Sequence, residues 1–71
     1  MAKYRMRENW KDVGKPVDYL EPGDIIVIYG MEFTIKDRFY QKDKDDIDRL
    51  VYVADDEDET TFWSHELERI D

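Results

Sequence analysis

The residues that could carry out chemistry in this chain are a single histidine and an unusual number of carboxylates. His65 is the only histidine and there is no cysteine, so the chain cannot assemble the ligands of a zinc site. Ser64 precedes His65, but chain neighbours at a turn seldom meet in the geometry that a nucleophile and its base require. The three glycines are isolated, which excludes a glycine-rich phosphate loop. We therefore expect a protein that is not an enzyme and that needs no cofactor or metal.

The carboxylates concentrate in two short runs. The predicted partner-binding acids are Asp43, Asp45, Asp46 and Asp48 in the first run, Asp55, Asp56, Glu57, Asp58 and Glu59 in the second, and Glu66, Glu68 and Asp71 near the C-terminal end. An EF-hand calcium loop needs acids at positions 1, 3 and 5 and a glutamate at position 12. Counted from Asp43, position 5 is Ile47 and position 12 is Ala54, so the motif fails. Two readings stay open, because such runs are usually solvated loops but can also bind a basic partner.

The negative charge is confined to one half of the chain. Residues 37–71 carry thirteen acids and five bases, whereas residues 1–36 carry six of each, and the net charge is −8. A field of this sign repels nucleic acid and anionic membranes and attracts basic proteins. The composition thus favours a basic protein as the partner, with no direct contact to nucleic acid and no membrane.

The N-terminal segment is basic and alternates in polarity. Tyr4, Met6 and Trp10 fall on one face of a predicted strand or extended arm, and Lys3, Arg5 and Arg7 fall on the other face. Aromatic and basic residues interleaved in this way can bind RNA. The alternative is an arm that packs its apolar face on its own sheet or on a second subunit. The net charge favours the second reading.

The length of the chain indicates one domain and suggests a homodimer. A core formed by 71 residues supplies only about 3–5 kcal/mol, and small domains often add disulfides, a metal or a second subunit. With cysteine absent, a homodimer is the simplest expectation. No apolar run approaches the ~20 residues of a membrane span, and no signal-peptide pattern is visible. We expect a cytoplasmic protein.

Short runs of apolar residues predict a mostly β protein. The sequence favours strands at "DIIVIYG", "MEFTIKDRFY", "RLVYVA" and "TTFW", with Pro22-Gly23 as a type II turn. The first of these runs is apolar throughout, as in a strand buried on both faces. The end, "SHELERID", fits either a helix or one helical turn before a final strand. We expect a small bent antiparallel sheet or an SH3-like barrel of four to five short strands, with one short helical turn near the C-terminus. Residues 1–15 would form a basic arm or edge strand, and residues 20–71 the body of the single domain.

Two stretches resemble the SH3-like barrels. "LEPGDIIVIYGMEFTIKDRFY" followed by "ETTFWSHELERI" looks like a Pro-Gly-Asp turn that leads into the first barrel strand, with a helical turn before the last. The likeness covers about residues 20–70. It implies a small β-barrel and, as one functional alternative, an adaptor or structural module that binds a peptide or an assembly partner through an aromatic face. The barrel hosts many unrelated functions, so the fold alone does not select one.

The chain is also similar in size, acidity and β-content to the acidic DNA-mimic proteins of bacteriophages. Within that group it most resembles the inhibitors of the bacterial nucleoid protein HU. The resemblance implies a protein that blocks the DNA-binding surface of a basic host protein, in the host cytoplasm. If residues 49–54 form a strand, the two acidic runs lie at its opposite ends, about 20 Å apart, and could imitate rows of phosphates. Aromatic residues beside the acids are candidate apolar anchors for the partner: Tyr40, Tyr52, Phe62 and Trp63.

Overall fold

Six strands form one open mixed sheet in the part of the chain that the computed structural model describes, residues 2–7 and 16–71. The strands are β1 (Ala2–Met6), β2 (Ile25–Ile28), β3 (Met31–Lys42), β4 (Asp48–Ala54), β5 (Thr61–Trp63) and β6 (Leu67–Arg69). Their order in the sheet is β5-β4-β3-β2-β1-β6. All neighbouring pairs are antiparallel except β1 and β2, which are parallel.

Two turns determine the conformation of the β2–β3 hairpin and of the segment that leads into β2. Gly23 has a φ of 99° and the amide of Asp24 donates to the carbonyl of Glu21, as the predicted turn at Pro22-Gly23 requires. Two residues, Tyr29 and Gly30, connect β2 to β3 with φ angles of 50° and 78°. Positive φ at both positions is the conformation of a type I′ hairpin loop, whose twist matches that of the two strands.

A bulge in β3 allows this strand to pair with both β2 and β4. Its first part pairs with β2, its second part pairs with β4, and the register shifts between Ile35 and Asp37. A bulge bends its strand and increases the local twist. The 12-residue strand therefore folds the β4–β5 part of the sheet over the β1–β2 part, and the space between them becomes the core.

The sheet curls until its two edges come close together. A flat sheet of this size would separate β5 from β6 by about 24 Å, since neighbouring strands lie ~4.8 Å apart. Only residues 64–66 connect these strands, and the amide of Glu66 donates to the carbonyl of Trp63 at 3.0 Å in a tight turn. The edges are therefore neighbours at this end of the molecule, although β5 and β6 share no ladder. The result is a curled sheet that stops short of a closed barrel.

The core fills the inside of this curl. Tyr4, Ile26, Ile35, Tyr52 and Leu67 are its largest fully buried side chains. Residues 16–20 cover the core as an extended segment, in which Val17 and Leu20 are buried. The hydroxyl of Tyr52 holds this segment, because it donates to the Val17 carbonyl at 2.6 Å and accepts from the Leu20 amide at 3.3 Å. Burial raises the pKa of Tyr52, so the phenol stays neutral and keeps both bonds.

The structure confirms a small, mostly β domain and corrects several details. There are six strands instead of four to five, and one pair is parallel. No helix occurs within residues 2–7 and 16–71; the predicted helical turn near the C-terminus is a tight turn at residues 64–66. β1 lies between β2 and β6, so it is an interior strand and not an edge strand. Trp10 and the rest of residues 8–15 lie outside the described residues.

The strand buried on both faces is β4, not β2. Ile25 at the start of β2 is 44% exposed, whereas every residue from Leu50 to Ala54 is buried. Val27, the other outer residue of β2, is half-buried. On the outer face of β4, Val51 lies between Phe39 of β3 and Trp63 of β5, its direct neighbours in the sheet.

Candidate functional site

The two acidic runs lie at opposite ends of β4, as the sequence predicts. The first acidic loop (residues 43–47) connects β3 to β4, and the second acidic loop (residues 55–60) connects β4 to β5. The strand between them has seven residues, which corresponds to about 20 Å. This places two groups of carboxylates at the two ends of one rigid element.

Both loops are built on one backbone plan. In each, an aspartate carbonyl accepts a hydrogen bond from the amide three residues later, from Asp46 to Asp43 in one and from Glu59 to Asp56 in the other. The residue that closes each turn has positive φ, 61° at Asp46 and 48° at Glu59. A turn followed by a left-handed residue is a common hairpin connection, and glycine usually occupies the left-handed position. Both loops place an acid there.

Asp43 organises the first acidic loop. One carboxylate oxygen accepts from the amides of Asp45 and Ile47, at 2.8 and 3.1 Å, and the other accepts from Nε of Arg49 at 3.0 Å. These hydrogen bonds, above all the one from Ile47, hold the pKa of Asp43 below its ordinary value. Only 11% of its side chain is exposed. Asp43 is therefore satisfied inside its own loop and presents little charge to a partner.

Asp56 has the same role in the second acidic loop. Its carboxylate accepts from the hydroxyl of Thr60 at 2.7 Å and from the Thr60 amide at 2.9 Å. The two bonds lower the pKa of Asp56. Aspartate side chains commonly bond backbone amides in turns in this manner. Asp43 and Asp56 therefore each have a structural role inside their own loop, and this role explains their presence without a binding partner.

The remaining acids of the two loops differ in how far nearby bases neutralise them. Residues 42–49 hold four acids and three bases, with Lys42 close to both Asp46 and Asp48. Residues 55–60 hold five acids and no base. Within the described part of the chain, the side chains of Asp55, Glu57 and Asp58 form no hydrogen bond or ion pair. The second loop therefore keeps most of its formal charge.

One base and one further acid approach the second acidic loop from β3. Lys36 Nζ lies 2.9 Å from a carboxylate oxygen of Glu59, and this contact raises the pKa of Lys36, with smaller contributions from Asp55 and Asp37. Asp37 therefore belongs to the same acidic end of the molecule. Nothing in the local sequence marks Asp37 as part of the site, because only the β3–β4 pairing brings residue 37 beside residue 53.

The turn at Pro22-Gly23 brings a further acid, Asp24, to the end of the molecule that carries the second acidic loop. The carbonyl of Asp24 accepts from the amide of Ile35, and the amide of Asp55 donates to the carbonyl of Thr34. Asp24 and the second acidic loop are thus attached to adjacent residues of β3. A pairing of residues so distant along the chain leaves no local signal in the sequence.

The three C-terminal acids of the predicted site lie elsewhere. Glu68 pairs with Arg5 across β6 and β1, and Asp71 pairs with Arg69, so each carboxylate has a cation within 2.8 Å. Glu66 lies in the turn between β5 and β6. The structure therefore distributes these acids over the β6 edge and does not gather them at either acidic loop.

Only some of the predicted aromatic anchors are available to a partner. Tyr52 and Phe62 are 0% and 6% exposed and belong to the core, which excludes them as anchors. Tyr40 is 72% exposed, and Trp63 is partly buried. Phe39, which the sequence reading passed over, is 40% exposed and lies opposite Val51.

His65 packs beside Trp63 at the first-loop end of β4. The two rings meet edge to face with centroids 5.5 Å apart, and the His65 Nδ1 atom is buried without a hydrogen-bond partner in the described residues. Burial lowers the pKa of His65, and the nearby Arg49 contributes in the same direction. The ring is therefore neutral at pH 7 and adds no positive charge to this surface.

Comparison with protein-family models, with curated proteins and with solved structures finds no match for this chain. Within residues 2–7 and 16–71, no three histidine, cysteine or acidic side chains are grouped as they would be to hold a metal ion. The same residues contain no helix long and apolar enough to cross a membrane.

Proposed function

We propose that this protein is an acidic, non-enzymatic inhibitor that binds a basic DNA-binding protein and occupies the surface which that protein offers to DNA. A nucleoid-associated protein such as HU is the kind of partner we envisage, and a bacteriophage the kind of source. The observation that carries the proposal is the pair of acidic loops at the two ends of one strand, with the unpaired carboxylates of the second loop.

The second acidic loop is the main charge-bearing element in this proposal. Asp55, Glu57 and Asp58 are exposed and form no ion pair within the described residues, so they are available to lysines and arginines of a partner. Asp37 adds to the same end. The first loop contributes less, since Lys42 and Arg49 offset its acids.

The two loops also stand at the two ends of one strand, which would let them contact two separate rows of cations. Duplex DNA presents two rows of phosphates along its grooves, and a basic cleft evolved for it holds cations in two corresponding rows. Loops separated by about 20 Å on a rigid strand can engage both rows at once. The attraction mainly accelerates association and depends strongly on salt.

Neutral variants of the two loops, matched in charge, test the proposal. One triple variant replaces Asp55, Glu57 and Asp58 with the corresponding amides, and the other replaces Asp45, Asp46 and Asp48. Each removes three negative charges and leaves the structural Asp43 and Asp56 intact. The measurement is displacement of a fluorescent DNA duplex from purified HU at about 0.05 M salt, where surface charges are weakly screened.

We expect the second-loop variant to lose more than about tenfold in affinity and the first-loop variant less than about threefold. Circular dichroism establishes that both variants keep the fold. Failure of the wild-type protein to displace DNA, or equal affinity of the wild type and both variants, would contradict the proposal.

An adaptor that binds a peptide through its aromatic face is the second candidate. The ring of Phe39, which is 40% exposed on the outer face of the sheet beside the strand that carries Val51, favours it. Binding of that kind depends on apolar contact and would persist at about 0.5 M salt, where charge-driven binding fades. A salt titration of the direct binding between this protein and its partner distinguishes the two functions, because DNA itself leaves a basic protein at high salt.

A further inference from the structure

An apolar row crosses the outer face of the sheet at β4. Phe39, Val51 and Trp63 are direct neighbours on three adjacent strands. Leu50 and Tyr52 on either side of Val51 belong to the core, so Val51 faces the opposite side of the sheet. The row therefore lies outside the core and shares no side chain with it.

The side chains of the row differ in their exposure. Val51 is 3% exposed, and its register partners Phe39 and Trp63 flank it on two sides. Phe39 is 40% exposed, and Trp63 is partly buried. The outer face therefore offers the rings of Phe39 and Trp63 to a partner, while Val51 lies buried between them.

The position of the row relative to the charges is symmetrical. Val51 is the central residue of the seven-residue strand Asp48–Ala54. At ~3.3 Å per residue, each acidic loop begins about 13 Å from the row. A partner side chain on the exposed ring of Phe39, opposite Val51, would have acids at roughly equal distances along the strand in both directions.

Two basic residues beside the row, Arg49 and His65, contribute little positive charge to it. Arg49 faces outward beside Gln41, but its guanidinium is bonded to Asp43. His65 contacts Trp63 and carries no charge at pH 7, because burial keeps its pKa low. Asp37 stands opposite Val53 on the other side of the row. The surroundings of the apolar row are therefore complementary to a basic partner.

We propose that this row is an anchor site for one apolar side chain of a basic protein surface, a leucine, methionine or phenylalanine with lysines or arginines on both sides. The inference rests on the proposed function, which it deepens by naming the contact that gives affinity. Apolar centres enclosed by a charged rim are the usual source of binding energy in interfaces, since the rim excludes water from the centre. Attraction between charges would accelerate association with the partner, and apolar contact with the row would slow its dissociation.

Two synthetic peptides serve as probes. Both contain six lysines, and one carries a central leucine where the other carries serine. Affinities for the whole protein are measured at about 0.05 M salt, and the amide resonances that each peptide perturbs are mapped by NMR. We expect the leucine peptide to bind about tenfold more tightly and to perturb the amides of Phe39, Val51 and Trp63.

Two variants separate the row from other exposed aromatics. Phe39→Ser opens the row, whereas Tyr40→Ser removes an aromatic ring at the next residue, whose side chain points to the other face of β3. The preference for leucine should fall below about threefold in Phe39→Ser and persist in Tyr40→Ser. The NMR map of the wild type provides the same information if Phe39→Ser does not fold.

The outcomes distinguish failure of the anchor from failure of the proposed function. Equal binding of the two peptides would overturn the anchor and leave charge-driven capture intact. Absence of binding by either peptide at low salt would overturn both. If sedimentation shows a dimer that Phe39→Ser dissociates, a second copy of the chain covers the row and the anchor proposal is wrong.

Discussion

The two acidic loops share a backbone and differ in charge, and the comparison separates what folding needs from what is left for binding. Each begins its turn with an aspartate whose carboxylate bonds the amide four residues later, Asp43 with Ile47 and Asp56 with Thr60. Each places an acid at a left-handed position. Folding thus accounts for some acids in both loops. It does not account for Asp55, Glu57 and Asp58, which are exposed in a loop that contains no base.

The largest change in stability should come from replacing the two acids that bond loop amides, compared with replacing exposed acids of the same loops. Asp43→Ala and Asp56→Ala remove carboxylates that satisfy loop amides, so we expect each to lower the melting temperature by roughly 5 °C. The matched controls are Asp45→Ala and Asp58→Ala, which remove the same charge from each loop and should change it little. Thermal unfolding followed by circular dichroism measures all four. Equal losses in the two groups would show that charge, and not the turn bonds, governs these loops.

The same bonds make stability depend on acid pH. The pKa values of Asp43 and Asp56 lie below the ordinary value of 3.8 in the folded protein. The stabilisation is therefore present above pH 3.8 and lost as the pH falls through the lowered folded values. Urea unfolding between about pH 5 and pH 2 should show a steep decline that is shallower in the Asp43→Ala, Asp56→Ala double variant. A parallel decline in both proteins would contradict this assignment.

His65 adds a second pH response, at the first-loop end only. Its folded pKa lies below the ordinary value of 6.5, so the neutral ring stabilises the fold above that pH. As the pH falls below 6.5, the unfolded chain takes up a proton more readily than the folded one, and stability declines. His65→Gln should remove this part of the profile and leave the decline below pH 4 unchanged.

The smallest effect concerns the left-handed residues. Glutamate tolerates positive φ less well than aspartate, whose short side chain can bond locally. Glu59→Gly should therefore stabilise the protein by about 0.5–1 kcal/mol, and Asp46→Gly by less. Chemical denaturation measures both. A loss of stability in Glu59→Gly would mean that the contact between Glu59 and Lys36 outweighs the relief of backbone strain.

The sequence anticipated the elements better than their arrangement. Alternation in "MEFTIKDRFY" and the glycine at position 30 predicted the β2–β3 hairpin, because both signals are local. The interior position of β1 left no such signal, since its neighbours β2 and β6 are distant along the chain. The apolar run of β2 predicts a doubly buried strand, but burial of the outer face of β4 depends on Phe39 and Trp63, which lie on other strands. The hydrophobic content of a strand shows how much apolar surface it could bury. The side chains of neighbouring strands determine how much of that surface is buried in the folded protein.

For the candidate site, too, the sequence predicted the local features but not those that depend on contacts between distant residues. The position of the two acidic runs at opposite ends of a strand followed from the sequence, because a strand flanked by polar turns has its loops at its two ends. The separate roles of Asp43 and Asp45 did not, since they depend on hydrogen bonds to particular amides. The apolar row of Phe39, Val51 and Trp63 required the register of three strands, which no one segment contains.

The sequence by itself determined a small, mostly β domain with strongly negative charge in its second half, because composition and local alternation act on each segment separately. Only the tertiary structure decided which carboxylates remain unpaired, which aromatics are buried and which lie between the acidic loops. Those properties arise from pairings between distant residues, where a shift of one position moves a side chain to the other face of the sheet.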